Sequence, residues 1–221
     1  MKSIMISIQP QWVEKILKGE KTIEIRKTKP SCDLPVKVYI YETKSKFRKG
    51  YYNNLDHKIH YYEDFGKGKV VAEFTLNQVD TIEICDPCVL RNGEQQDWHW
   101  FKSNACLDSE EMMSYIGYGD DHDGWGSEYA KGYAWHIDDL KIYDKPKELG
   151  EFTTSPYCSN YMKNVEVTVN ALGDYVAHYE DNFFCKKCKY FDGDFNICER
   201  KPKPLTRPPQ SYMFVEELEE V

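Results

Sequence analysis

The residues with the clearest chemical potential lie between positions 19 and 26. The pattern Gly19-x-Lys21-x-x-Glu24-x-Arg26 brings two cations and one carboxylate close together. Glu24 and Arg26 are two positions apart in an alternating run, so they project from one face of a predicted strand. Arg26 can bind a phosphate or carboxylate through two parallel hydrogen bonds. Glu24 can hold the Arg26 guanidinium in place or accept hydrogen bonds from a base edge. The pattern indicates a ligand site; the alternative is an exposed strand face with an ordinary Glu/Arg pair.

A second group of chemically capable residues lies near the C-terminus. Cys185-x2-Cys188 presents two thiols in one turn, and Cys198 follows. Tetrahedral zinc needs four ligands, and we expect Cys158 to be the fourth, with His178 as the alternative. The spacing predicts structural zinc as the cofactor of this region; reduced cysteines without metal are the other interpretation.

Two further motifs and one histidine give weaker indications of chemistry. Cys85-x2-Cys88 has no additional ligand beside it, so we interpret it as incidental, with redox or metal roles as alternatives. The aromatic run Trp98-His99-Trp100-Phe101 favours a place in the core, although it could stack on a base. His136, on a predicted strand, is interpreted as a packed residue rather than a catalytic base.

The elements that must position the 19–26 motif are short. Ile4, Ile6 and Ile8 alternate and predict a strand, and Pro10 opens a helix that Gly19 ends. The next strand, at residues 21–27, carries the motif. Further predictions are strands at 36–41, 70–76 (continuing irregularly to 84), 133–143 and 211–215, a helix at 109–116 capped by Asp108, a flap at 44–68 and a loop at 117–132.

Several short strands with few helices favour an α+β fold built on a small, partly closed β-barrel. The composition changes after Phe152: four of the eight cysteines lie within residues 158–198, and residues 201–209 contain four prolines. We therefore divide the chain into a first domain, residues 1–152, and a cysteine-bearing C-terminal extension, residues 153–221.

Composition and charge restrict the function. The chain has 221 residues, of which 41% are hydrophobic, and no stretch approaches the roughly 20 apolar residues of a membrane span. Its first residues lack the apolar core of a secretory signal, so we expect a cytoplasmic protein without a disulfide framework. The formal charge is −8, but residues 1–70 hold 15 Lys and Arg against 8 Asp and Glu. This basic third favours a local anionic ligand; chance segregation of charge is the alternative.

Residues 3–29, with the motif at their centre, resemble the ASCH domain of the PUA-like superfamily. The segment from Tyr133 to Pro146 also resembles the closing strand of ASCH proteins, particularly those in bacterial and phage genomes. The resemblance covers residues 1–152. It implies a PUA-like barrel with short flanking helices, a cleft lined by Lys21, Glu24 and Arg26, and RNA or a nucleotide as the ligand.

One ASCH subgroup hydrolyses acetylcytidine with a lysine and a threonine of this motif and a distant glutamate. In that comparison Lys21 matches the lysine, but Glu24 occupies the position of the threonine nucleophile. Thr22 is close by at a different motif position, and Glu110 and Glu111 are candidates for the glutamate. Because a carboxylate does not replace an activated hydroxyl, we do not transfer this activity.

Three functions stay open at this point. The first is a binding module for RNA or a nucleotide. The second is a hydrolase acting on acylated nucleosides or RNA, with Glu24 as general base and Lys21 as its electrophilic partner. The third is a regulatory, phage-type protein-interaction factor in which the cleft has no ligand and the acidic C-terminal tail matters more.

Overall fold

The computed structural model describes residues 2–53, 57–85, 88–118, 129–154, 165–169, 175–179 and 203–218. In these ranges strands dominate and the helices are short. The elements are β1 (Lys2–Ile8), α1 (Pro10–Leu17), β2 (Ile23–Arg26), β3 (Val36–Glu42), β4 (Lys46–Asn53), β5 (Lys58–Phe65), β6 (Val70–Leu76), β7 (Val79–Cys85), β8 (Cys88–Arg91), β9 (Glu94–Gln96), α2 (Trp98–Ala105), α3 (Ser109–Ile116), β10 (Tyr129–His136), β11 (Asp138–Lys147), a 3-10 turn (Leu149–Glu151), β12 (Val165–Val169), β13 (Tyr175–Tyr179) and β14 (Tyr212–Glu216).

The first sheet has the strand order β11-β6-β3-β1-β14. β1 runs parallel to β3, and the other neighbours are antiparallel. The alternating isoleucines of β1 are buried against α1, which supplies Val13 and Ile16. The apolar period of β1 and α1 thus forms the core that the sequence predicted, and α1 begins at Pro10 as expected.

The second sheet has the order β2-β10-β7-β8-β9 and is antiparallel throughout. One face packs against α2 and α3. Ile23 and Ile25 of β2 belong to this core, together with Phe101 and Met112 from the helices. The other face of β2 is left to carry Glu24 and Arg26, because successive side chains alternate across a strand.

The structure corrects two strand predictions. Residues 133–143 are not one strand: β10 ends at His136, and β11 starts at Asp138 in the other sheet. Residues 70–84 likewise divide between β6 and β7. An apolar pattern of period two looks the same on both sides of such a crossing, so the sequence does not show it.

The helix and flap predictions had mixed outcomes. Helix α3 starts after Asp108, which forms a reciprocal capping box with Glu111, as the sequence indicated. Helix α2 was not predicted. The predicted flap at 44–68 contains a two-stranded ribbon, β4 with β5.

The end of the described chain returns to the first sheet. β14 pairs with β1, from Lys2 opposite Glu216 to Ile6 opposite Tyr212. Residues 203–218 therefore pack on the first 152 residues, and the predicted division at residue 152 stays a prediction for the segment between them. β12 and β13 form a hairpin in that segment.

The α+β class, rich in strands with short flanking helices, is confirmed. In the described part of the chain the strands form two five-stranded sheets, and neither strand order closes into a ring. None of the described helices is long and apolar enough to cross a membrane.

Candidate functional site

The turn between α1 and β2 places Lys21. Gly19 has a φ of +74°, a conformation that glycine adopts without steric cost. The backbone N–H groups of Gly19, Glu20 and Lys21 all donate to carbonyls of the last helical turn. This tight C-terminal turn directs the chain straight into β2 and turns the Lys21 side chain inward.

Lys21, Glu24 and Arg26 form one buried charged cluster, which we call the motif cluster. Their residues are 2%, 8% and 6% exposed. Glu24 lies between the two cations: Lys21 Nζ is 3.4 Å from Glu24 Oε2, and Arg26 Nε is 3.2 Å from Glu24 Oε1. The interpretation of this pattern as an exposed strand face is therefore wrong.

Lys21 is held by the end of a helix. Its Nζ donates a 2.7 Å hydrogen bond to the carbonyl of Ala105, the last residue of α2, where the helix dipole favours a cation. The ammonium also lies 5.6 Å from the centre of the Trp12 ring. Burial lowers the pKa of Lys21, and the nearby Glu24 carboxylate opposes this shift.

Arg26 orders the walls around the cluster. Its Nη2 donates to the Ser7 carbonyl at 2.8 Å, and its Nη1 donates to the Ser211 carbonyl at 3.3 Å. The third nitrogen, Nε, is buried beside Glu24 without a properly aligned hydrogen bond. One guanidinium thus joins β1, β2 and the residue before β14, and it keeps an unsatisfied donor in the cluster.

The motif cluster forms part of the wall of a cleft of about 710 Å³. Aromatic and hydroxyl groups share that wall with the charges. Tyr115 lies near Arg26, and burial raises the pKa of Tyr115 while the Arg26 charge opposes the shift. The lining residues are Ser7, Ile8, Gln9, Gln11, Trp12, Lys21, Glu24, Ile25, Arg26, Thr43, Leu107, Glu111, Ser114, Tyr115, Pro208, Pro209 and Gln210.

Sequence reasoning missed the contribution of the C-terminal segment to this cleft. Pro208, Pro209 and Gln210 line it, and Ser7 Oγ donates to the Pro209 carbonyl at 2.7 Å. These contacts join residues about two hundred positions apart. No local pattern in the sequence signals such a contact.

The residues considered for hydrolase chemistry lie in different places. Thr22 is exposed, bonds to Asn104 through its hydroxyl at 3.0 Å and does not line the cleft. Glu111 lines the cleft, although its carboxylate also accepts from the Asp108 backbone. Glu110 is exposed outside it. Of these three residues, Glu111 is the one that lines the same cleft as Lys21 and Glu24.

The predicted zinc ligands cannot be located. Cys158, Cys185, Cys188 and Cys198 lie outside the described residues, and only the backbone of His178 is described, in β13. In the ranges that the structure covers, no three metal-binding side chains come together. Structural zinc stays a prediction.

The aromatic run at 98–101 is part of the core. It begins α2, where Phe101 is buried and Trp98 and Trp100 pack around the core of the second sheet. Arg91 lies 4.2 Å from the centre of the Trp100 ring. The core interpretation fits this packing better than base stacking does.

A second buried carboxylate, Asp80, was missed altogether. It is 1% exposed, and four side chains contact it. The partners are Arg91 Nε at 2.6 Å, Gln78 Nε2 at 2.7 Å, Asn92 Nδ2 at 2.8 Å and His136 Nε2 at 2.8 Å. We call these five residues the Asp80 cluster. His136 is thus a packed residue bound to a carboxylate.

No protein-family model matches this chain, and a search of curated proteins finds no match. Solved structures do resemble it. ASCH from Zymomonas mobilis superposes with a TM-score of 0.42 at 18% identity, covering 66% of this chain and 73% of that one. Two variants of that protein, one with a tyrosine changed to phenylalanine and one with a serine changed to alanine, give TM-scores of 0.38 and 0.40 at 18% identity. They cover 67% and 66% of this chain and 77% and 74% of those chains.

All three of these solved structures are ASCH proteins. This is the family to which residues 3–29 and 133–146 point in the sequence.

Proposed function

We propose that the cleft beside the motif cluster binds a nucleotide or a short segment of single-stranded RNA. One observation carries the proposal: two buried cations surround a single carboxylate in the wall of an open cleft. Burying three charges is costly unless they are fully hydrogen bonded, and here the buried Nε of Arg26 is not. Because the cluster holds two cations against one carboxylate, an anionic ligand in the cleft would also balance its charge.

The groups lining the cleft match the parts of a nucleotide. Lys21 and Arg26 provide positive charge for phosphate or for base acceptors, and Glu24 can accept from an exocyclic amine. Trp12 and Tyr115 supply aromatic faces, and stacking of one base is worth about 1–3 kcal/mol. The volume of about 710 Å³ lies within the range of roughly 300–1,000 Å³ typical of ligand sites.

Fluorescence anisotropy with a labelled single-stranded RNA of ten uridines tests this proposal. We expect the wild type to bind, more weakly at high salt, and the Lys21→Ala/Arg26→Ala variant to lose most of this binding. Lys27→Ala is the matched control, because Lys27 is an exposed neighbour that does not line the cleft. Thermal unfolding of each variant separates loss of the site from loss of the fold. Equal affinity in a folded double variant would overturn the proposal.

A second function is favoured by the state of Lys21. Burial lowers its pKa, which brings a lysine closer to the range useful for proton transfer, and Glu24 lies 3.4 Å away. In this proposal the cleft hydrolyses an acylated nucleoside, with Glu24 as base for water and Lys21 as the electrophilic partner. A panel of acylated nucleosides provides the assay. Turnover that disappears in Glu24→Gln is required, and no turnover by the wild type would remove this candidate.

A further inference from the structure

A second cavity adjoins the cleft. It has a volume of about 560 Å³ and shares two wall residues, Thr43 and Pro208, with the first. The two cavities are therefore neighbours beside the segment 203–211. A ligand in the first cleft that crosses Thr43 and Pro208 would enter the second.

Two cations line this second cavity. Lys44 and Arg207 both line it, both are exposed, and neither forms an ion pair in the part of the chain that the structure describes. Glu148 also lines the cavity, but Lys69 neutralises it at 2.7 Å. The balance of charge in this cavity is positive, which suits an anion.

The position of Lys44 is set by a glycine. Gly68 has a φ of +67°, and a Cβ built on it would lie 2.2 Å from Cε and 2.5 Å from Cγ of Lys44. The aliphatic stem of Lys44 thus lies flat on the Gly68 backbone. Any side chain at position 68 would displace this stem, so the glycine helps to place the ammonium in the cavity.

We propose that the second cavity is a phosphate subsite for the adjacent nucleotide of a single-stranded nucleic acid whose first nucleotide occupies the cleft. Lys44 and Arg207 contact the backbone phosphate of the nucleotide next to the one that lies beside the motif cluster. This inference rests on the proposed function of the cleft. It adds that the ligand is a strand longer than one nucleotide and that its path crosses Thr43 and Pro208.

The test compares two probes, the labelled ten-uridine RNA and uridine monophosphate, on four proteins. These are the wild type, Lys44→Ala/Arg207→Ala, the cleft variant Lys21→Ala/Arg26→Ala, and Lys145→Ala, an exposed lysine outside both cavities. Each phosphate contact on a single strand contributes about 0.7 to the slope of log affinity against log salt. The Lys44→Ala/Arg207→Ala variant loses one phosphate contact and should therefore lose about 0.7 of this slope. A fourfold increase in salt would then weaken the wild type about 2.6-fold more than this variant.

The outcomes separate the subsite from the cleft. Loss of ten-uridine affinity in Lys44→Ala/Arg207→Ala with unchanged uridine monophosphate affinity supports the subsite. If that variant binds both probes with wild-type affinity and slope, the subsite is wrong while the cleft proposal survives. If the wild type binds neither probe, both are wrong. Inorganic phosphate should compete with the ten-uridine RNA on the wild type until the affinity equals that of the Lys44→Ala/Arg207→Ala variant, which supports a phosphate contact. If inorganic phosphate does not compete, the phosphate contact is contradicted.

Discussion

Asp80 and Glu24, two of the buried carboxylates among the described residues, are surrounded by donors and differ in how completely their clusters are hydrogen bonded. Asp80 contacts four side-chain partners at 2.6–2.8 Å. Glu24 has two cationic neighbours at 3.2 and 3.4 Å, and one of them, Arg26, has a buried Nε without a hydrogen bond. The Asp80 cluster lines neither of the two cavities described above, whereas the motif cluster opens on the cleft.

This difference separates a structural role from a binding role. A fully satisfied buried network rigidifies the fold and offers nothing to a ligand, while an incompletely satisfied one at a cleft has donors and charge to give. The Asp80 cluster joins β7, β8 and β10. The motif cluster joins β2 to the end of α2 and to the segment before β14, and it faces an open volume.

The largest effect is expected from the Asp80 cluster. Asp80→Asn removes the buried charge that Arg91 and His136 face, and breaking a buried pair from one side costs about 3–5 kcal/mol. Chemical denaturation measures this loss. Asp139→Asn is the matched control, because Asp139 is exposed and its φ of +48° suits asparagine. A change below about 1 kcal/mol in Asp80→Asn would remove the structural role.

The same cluster predicts how stability depends on acid. Burial disfavours the charged form of Asp80, but hydrogen bonds from Gln78, Asn92, His136 and Arg91 outweigh it and hold the pKa of Asp80 well below its usual range. The stabilisation is complete above the unfolded pKa of about 3.9 and is lost as the pH falls toward the folded value. The free energy of unfolding, measured between pH 7 and pH 3, should decline less steeply in Asp80→Asn than in the wild type. Parallel curves for wild type and variant would contradict this.

A middle-sized effect is expected at Trp12. Trp12→Ala removes a stacking face from the cleft, so RNA binding should weaken by about 1–3 kcal/mol. Trp100→Ala is the comparison, since Trp100 packs in the core and against Arg91. It should lower stability and leave the RNA affinity of the folded protein unchanged. If Trp100→Ala weakens RNA binding and Trp12→Ala does not, the aromatic contact with the ligand lies at α2 instead.

The smallest effect on stability is expected at Lys21. Lys21→Met keeps the aliphatic stem, removes a charge that burial disfavours and leaves Glu24 beside Arg26. The free energy of unfolding at pH 7 should change by less than about 1 kcal/mol, while RNA binding falls. Because burial lowers the pKa of Lys21, the wild type gains stability as the pH rises toward the unfolded value of about 10.4, and the variant should lack this gain. A loss of stability in Lys21→Met as large as that in Asp80→Asn would show that the motif cluster has a structural role instead.

The contrast between the clusters also explains what the sequence predicted. Lys21, Glu24 and Arg26 are neighbours in the chain, so their spacing and the strand period were enough to bring them together. Two partners of Asp80, Arg91 of β8 and His136 of β10, are brought to it by the register of the second sheet. A lone aspartate in a strand gives no local signal of that register.

The same distinction between local features and long-range contacts applies to the fold. β1, α1 and α3 were predicted because their apolar periods and the Asp108 cap are local features. The crossings between the two sheets were missed because the strand period continues across them. The contribution of Pro208–Gln210 to the cleft depends on contacts of Ser7 and Arg26 with residues far along the chain. Local patterns contain no information on such contacts.

The most direct test of the binding role of the motif cluster is the position at which RNA crosslinks. A ten-nucleotide RNA carrying 4-thiouridine is irradiated with the wild-type protein, and mass spectrometry identifies the attached residues. Adducts at Trp12 or Tyr115, reduced in Lys21→Met, are the predicted result. Adducts confined to Trp98 and Trp100 of α2, or unchanged in Lys21→Met, would contradict the assignment of the nucleic-acid site to this cleft.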